Sequence, residues 1–195
     1  MIIGITGGTG SGKTTLLNLL KAQGAVILDC DAIYHNLLET DRTLLQAIDD
    51  RFPGCVGKTG LDRKKLGAIV FSDKDALQDL NRITHSAVYQ AVLAKLQPKP
   101  ALAAIDAIGL FEGGLAALCD VTVAVTADEN IRIARLMARE EISEEYAKMR
   151  IRSQKNPKEF TALCDYVLEN NGSIQEFQDK CLAFFRHLGI MKENP

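Results

Sequence analysis

Apolar residues in this 195-residue chain fall into short runs separated by longer amphipathic stretches. Met1-Ile2-Ile3-Gly4-Ile5-Thr6, Ala25-Val26-Ile27-Leu28, Ala101 to Ile105, Val121-Thr122-Val123-Ala124-Val125 and Tyr166-Val167-Leu168 have the length and content of buried strands. Between them the apolar period becomes helical. Thr14 to Gln23 reads as a helix, as does Ala32 to Arg51 with an interruption near Thr40-Asp41. A helical region opens at Leu61-Asp62-Arg63, with Asp62 as its cap and Leu66, Ile69 and Val70 on one face. Lys74 to Leu96 follows, with Leu77, Leu80, Ile83, Val88, Val92 and Leu96 facing inward. Asp128 to Arg139 and a helix capped by Ser173 and running to His187 complete the set. Phe52 to Gly60 reads as a loop from its Pro and Gly punctuation, and Met191 to Pro195 as a frayed tail.

Strands alternating with helices predict an α/β fold with a parallel sheet covered on both faces. Ligands in such sheets bind at the carboxyl ends of the strands. Those ends carry the polar features of this chain: Asp29 and Asp31, Asp106, Asn170, and a glycine loop after the first strand. No internal repeat or low-complexity segment interrupts the pattern.

The glycine loop is Gly7-Gly8-Thr9-Gly10-Ser11-Gly12-Lys13-Thr14, a complete G-x-x-x-x-G-K-[ST] between a strand and a helix. That context aims backbone N–H groups at a polyphosphate. Gly8, Thr9, Gly10, Ser11, Gly12, Lys13, Thr14 and Thr15 are therefore candidate nucleotide contacts. Lys13 would reach the β- and γ-phosphates, and the Thr14 hydroxyl would ligate Mg²⁺.

Composition narrows the picture. The formal net charge of −2 gives no reason to expect broad nucleic-acid binding. Cys30, Cys55, Cys119, Cys164 and Cys181 are odd in number and form no C-x-x-C pair, against a disulfide framework or a zinc site. There is no leader-like start and no apolar run of membrane-spanning length, so a cytoplasmic protein without a membrane partner is expected.

Asp31 follows strand two and could accept a proton from a substrate hydroxyl or bind Mg²⁺ through water. It could equally be a helix cap, and Asp29 competes for the same roles; spacing alone divides these readings evenly. Asp106 ends strand three, where a metal-facing acid is expected, and Glu112 follows closely. Arg132, Arg135, Arg139, Lys148, Arg150, Arg152 and Lys155 make a basic region broken by Glu140, Glu141, Glu144 and Glu145. It reads either as a solvated charged hairpin or as a lid that lowers arginines onto a phosphoryl group; the phosphate loop favours the lid. Asp106-Ala107-Ile108-Gly109 matches the D-x-x-G of GTPase switches, which keeps a GTP-dependent switch open, although no N-K-x-D or T-K-x-D is present. A kinase for another nucleoside or nucleotide acceptor is also open.

Taken together the motifs resemble those of the dephospho-CoA kinase family nearly end to end. Beyond the phosphate loop, Leu28-Asp29-Cys30-Asp31 resembles its I-D-A-D, Gly60-Leu61-Asp62-Arg63 its G-x-L-D-R, and Leu80-Asn81-x-Ile83-x-His85 its L-N-x-I-x-H-P. Leu110-Phe111-Glu112 resembles the end of P-L-L-F-E, and Arg150-Ile151-x-x-Gln154 the lid's R-I-x-x-Q. Asp165-Tyr166-Val167-Leu168-x-Asn170-x-Gly172 resembles the segment near the adenine site. The chain departs from the pattern at Ser86, Ile108-Gly109, Glu140-Glu141 and Arg132, where Gln is common; none of these removes a reacting group.

The resemblance implies a five-stranded parallel P-loop kinase core (1–31, 97–139 and 158–190), a helical substrate-binding subdomain (32–96) and a helical lid (140–157). It implies ATP and Mg²⁺ as cofactors and transfer of the γ-phosphoryl group to the ribose 3′-hydroxyl of dephospho-CoA. Asp31 would be the general base, with Lys13, Arg139 and Arg150 completing the catalytic set. Asp31, Arg63, His85 and Glu112 would contact the acceptor, and Asn170 the nucleotide. A monomer is expected.

Overall fold

A computed structural model describes residues 1–58 and 60–191. The expected frayed tail beyond Met191, and Thr59 in the expected loop, lie outside the described residues. Five parallel strands form the central sheet: β1 (Ile2–Thr6), β2 (Val26–Asp29), β5 (Ala103–Asp106), β6 (Val121–Thr126) and β7 (Tyr166–Glu169). Their order is β2-β5-β1-β6-β7, and every neighbouring pair is parallel. The chain crosses from β1 to one edge and returns to the other side, so the carboxyl end of β1 lies at a switch point where loops part.

The strands alternate their side chains between two helical layers. Ile3, Ile5, Ala104, Val123 and Val125 face α1 (Lys13–Ala22) and α9 (Ile174–His187), packing on Leu16, Leu20, Phe177 and Phe185. Ile2, Leu28, Ala103 and Ile105 face the opposite way, toward Ile33 of α2 (Cys30–Thr40) and Val88 and Val92 of α5 (Lys74–Lys95). Ile3, Ile5, Leu16 and Leu20 are wholly buried, each contributing about 1.5–3 kcal/mol. Gly4 leaves room between the layers: a Cβ there would meet the Cys119 sulfur at 2.7 Å.

A third core lies beyond the sheet. Leu38, Leu44, Ile48, Phe52, Leu66, Val70 and Ala76 join α2, α3 (Arg42–Arg51), α4 (Arg63–Val70) and the start of α5. Two of its joints are capped by carboxylates: Asp41 accepts from Thr43 and Leu44, and Asp62 from Lys65 at 2.9 Å. A fourth cluster, Ile133, Leu136, Ala147 and Ile151, packs α6 (Glu129–Glu140) against α7 (Glu144–Arg152).

Four local expectations change. The stretch expected as a loop contains an antiparallel pair, β3 (Val56–Gly57) with β4 (Gly60–Leu61). These strands are too short to show a period. Helix α2 begins at Cys30 rather than Ala32, because Asp29 caps it. Strand β5 begins at Ala103 rather than Ala101. A five-residue helix, α8 (Pro157–Thr161), begins where the charged stretch was expected to break, just after α7, which lies within the expected helical lid. Ser173 caps α9 as expected, in a reciprocal box with Glu176. Among the described residues no helix is long and apolar enough to cross a membrane.

Candidate active site

The phosphate loop joins β1 to α1, and its shape depends on residues far away in sequence. Gly12 precedes the helix at φ 101°, a conformation that favours glycine. A Cβ on Gly12 would also sit 2.1 Å from Nδ2 of Asn170. That nitrogen donates to the Ser11 carbonyl at 2.8 Å, while Arg135 Nη2 donates to Asn170 Oδ1 at 3.1 Å. On the other side Arg132 Nε donates to the Thr9 carbonyl at 2.8 Å. Gln154 Oε1 accepts from both Thr9 N–H and Arg132 Nη2, each at 2.9 Å. Lys13 Nζ donates to the Gly7 carbonyl at 2.7 Å, folding its charge over the loop.

Two cavities open at the carboxyl ends of the strands. The larger, about 500 Å³, is walled by Gly8, Thr9, Gly10, Gly12, Lys13 and Thr14, and across from them by Asp31, Asp106, Arg135, Arg139 and Arg150. The smaller, about 220 Å³, lies between α2 and α5 and is lined by Tyr34, Thr84, His85 and Val88 among others. Asp31 and Ile108 line both. Thr6 Oγ1 donates to the Ile108 carbonyl at 3.2 Å, which ties this dividing wall to β1.

The acidic residues divide their work. Asp29 Oδ1 accepts from Ala32 N–H at 2.9 Å and is the helix cap. Asp31, in the first turn of α2, faces the cavities. Asp106 is pushed up to about 6 by burial and by the neighbouring Asp29 and Asp31 carboxylates, with Lys13 pulling the other way. Its buried Oδ1 has no hydrogen-bond partner among the described residues. Burial, with Asp106, Asp29 and Asp31 nearby, pushes the Cys30 thiol up to about 12, so it stays protonated.

Glu140 holds two arginines of the cavity wall: Arg139 Nη2 at 2.5 Å on Oε1, and Arg150 Nη1 on Oε2. Glu112 accepts from Lys155. Burial would raise the Glu112 pKa, but the Lys155 hydrogen bond and charge leave it below the usual range.

The structure thus brings together Gly8, Thr9, Gly10, Gly12, Lys13, Thr14, Asp31, Arg139 and Arg150 around one cavity. His85 lines the adjoining one, and with Glu112 it borders a shallow groove outside it. Arg63 is not brought in: it is exposed, with Nη2 3.5 Å from His35 Nδ1. Ser11, Thr15 and Asn170 stand behind the loop rather than on the cavity wall: Ser11 is buried, Thr15 N–H closes the turn on Gly12, and the Asn170 amide bonds to Ser11 and Arg135. Sequence reasoning did not single out Tyr34 of α2 and Thr84 of α5, which line the smaller cavity. It read Arg132 as one charge in a basic run and as a departure from a common Gln, without assigning it a place in the site.

Comparison with known proteins agrees on one family. The model of the family described as dephospho-CoA kinase matches residues 1–176. A dephospho-CoA kinase of Oceanobacillus iheyensis is 36% identical over 182 residues, covering 90% of this chain and 92% of the relative. The crystal structure of TT1252 from Thermus thermophilus superposes with a TM-score of 0.78 at 33% identity, over 96% of this chain and 97% of that one. The dephospho-CoA kinase from Campylobacter jejuni superposes with a TM-score of 0.66 at 25% identity, over 97% and 98%.

Proposed function

The chain belongs to the dephospho-CoA kinase family, and on that premise we propose how its own residues carry ATP-dependent phosphorylation of the ribose 3′-hydroxyl of dephospho-CoA, giving CoA and ADP. This is the last step of coenzyme A biosynthesis. The larger cavity takes the nucleotide and the smaller one the acceptor. The observation that carries this assignment is Asp31, the carboxylate on the wall common to both.

Asp31 accepts the hydroxyl proton as the oxygen attacks the γ-phosphorus. The loop N–H groups and Lys13 hold the transferring group, and Arg139 and Arg150 exchange Glu140 for its oxygens. Little covalent work falls to the protein; positioning and fixed charge dominate. His85 and Glu112 contact the acceptor from α5 and the loop after β5, while Arg63 would reach it only from the rim. The helical unit 32–96 then acts as the substrate subdomain and 140–157 as the lid, on a core of 1–31, 97–139 and 158–190.

Mg²⁺ fits the residues present. Thr14 offers a hydroxyl, and Asp106 a buried carboxylate oxygen with no other partner. An ion of this kind is held chiefly by phosphates and water and needs few protein ligands. When bound, the ion would supply charge neutralisation to the nucleotide phosphates. The working unit in this reading is a monomer. The five unpaired cysteines suit a reducing cytoplasm.

The test is ADP release from Mg-ATP with and without dephospho-CoA, with the product mass recorded. Acceptor-dependent release with one added phosphate is expected. Release that ignores the acceptor, from folded protein that binds ATP, would overturn the assignment of the smaller cavity.

A further inference from the structure

Among the described residues Arg132 is a buried cation without an anionic partner. It is 5% exposed, whereas Arg135 and Arg139 on the same helix reach the cavity wall. No Asp or Glu among the described residues lies within ion-pair distance of it. Glu129, one turn earlier on α6, acts on it only from further out, and burial lowers its pKa. Removing a guanidinium from water without a counter-ion is strongly unfavourable. Something in the working protein must offset it.

Its surroundings indicate what. A Cβ at Gly8 would lie 2.4 Å from Arg132 Nη2, and one at Gly10 would lie 3.2 Å from its Cα, so Arg132 packs on the back of the phosphate loop. Nε holds the Thr9 carbonyl. Nη2 holds Gln154 Oε1, the same oxygen that takes the Thr9 N–H. Gln154 itself lines the nucleotide cavity, beside Arg150 at the far end of α7. Loop, buried cation and lid are thus joined at one carbonyl oxygen.

We propose that Arg132 is a positioning residue for the nucleotide: a cation left uncompensated behind the phosphate loop, whose counter-charge is the bound polyphosphate, and which is tied to the lid through Gln154. The inference rests on the kinase reading. It has a specific signature. Neutralising Arg132 removes attraction for the polyphosphate and, at the same time, relieves the unliganded protein of a buried charge.

The experiment titrates ATP and ADP into the wild-type protein and into Arg132→Met, Arg132→Lys and Gln154→Ala at low and high salt. Unfolding midpoints are taken without nucleotide, and turnover at saturating ATP. For Arg132→Met, ATP affinity should fall roughly ten- to thirty-fold, from one charge acting across the loop, and ADP affinity by less. The loss should shrink at high salt. The unliganded midpoint should hold or rise, and turnover at saturating ATP should stay within a few-fold. Arg132→Lys should regain most of the affinity, and Gln154→Ala should lose a smaller, salt-insensitive part. Unchanged ATP affinity in Arg132→Met overturns the proposal. So does an affinity loss that Lys does not rescue and that accompanies a lower midpoint, since that is packing alone; should Arg132→Met fail to fold, the Lys and Gln154→Ala variants decide. A wild-type protein that does not bind ATP would remove the kinase reading along with it.

Discussion

Asp29 and Asp31 stand two residues apart at the end of β2 and do different work. Asp29 turns its carboxylate onto the Ala32 N–H and closes the start of α2; Asp31, one residue into that helix, lines the wall between the two cavities. The cap sets the direction in which the second carboxylate points.

Asp31→Asn should therefore keep ATP affinity within a few-fold and lower kcat by on the order of 10²- to 10⁴-fold. Asp29→Ala should behave differently, losing about 1 kcal/mol of stability with a smaller kinetic effect. Steady-state kinetics with both substrates and a denaturant titration separate the two. Equal losses of ATP affinity and turnover in Asp31→Asn would count against its role as base.

Asp106 gives the protein a pH dependence. Its carboxyl titrates at about 6 when folded, against a reference of 3.8. A raised carboxyl favours folding while protonated, so that contribution is complete below the reference value and is lost as pH rises through about 6. Asp106→Asn should gain on the wild type between those limits, by up to ~3 kcal/mol. Activity should run the opposite way, falling as pH drops through about 6, with added Mg²⁺ moving that limb lower. Denaturant titrations at several pH values and a pH–rate profile at two Mg²⁺ concentrations check both.

In the proposed reaction Glu140 competes with phosphate for Arg139 and Arg150. The Arg139 hydrogen bond holds its pKa below the usual range despite some burial, and Arg150 adds to this, so Glu140 stays ionised until pH falls well into the acid range. Glu140→Gln should bind ATP a few-fold more tightly at low salt, and the difference should fade at high salt. Unchanged affinity at both salt concentrations would mean that the arginines do not reach the nucleotide.

Asn170 braces the phosphate loop from behind. Asn170→Ala leaves the Ser11 carbonyl without its donor and Arg135 without its shortest hydrogen bond, so a loss of about 2 kcal/mol is expected. KM for ATP should rise roughly ten-fold as the loop loosens, by the same conversion of free energy to binding. Thermal unfolding and ATP kinetics test this; a normal KM in a destabilised variant would confine Asn170 to stability.

What the chain itself determined is local. The loop from Gly7 to Thr14, the strand before it and the helix after it follow from consecutive residues, because glycine φ angles, hydrophobic periods and capping carboxylates act within a few positions. The parallel sheet follows too, from alternation alone. The tertiary structure decided what depends on partners far apart in sequence. Asn170 meets Ser11, Arg132 meets Thr9, and Glu112 meets Lys155 only because the β2-β5-β1-β6-β7 order brings the strand ends to one side. Asp29 and Asp31 were equivalent by spacing until the start of α2 assigned one to the cap. Arg132 looked like one charge among many on a basic helix. Its burial, and the absence of a counter-ion among the described residues, come from packing the face of α6 against the loop, which no single stretch of sequence encodes.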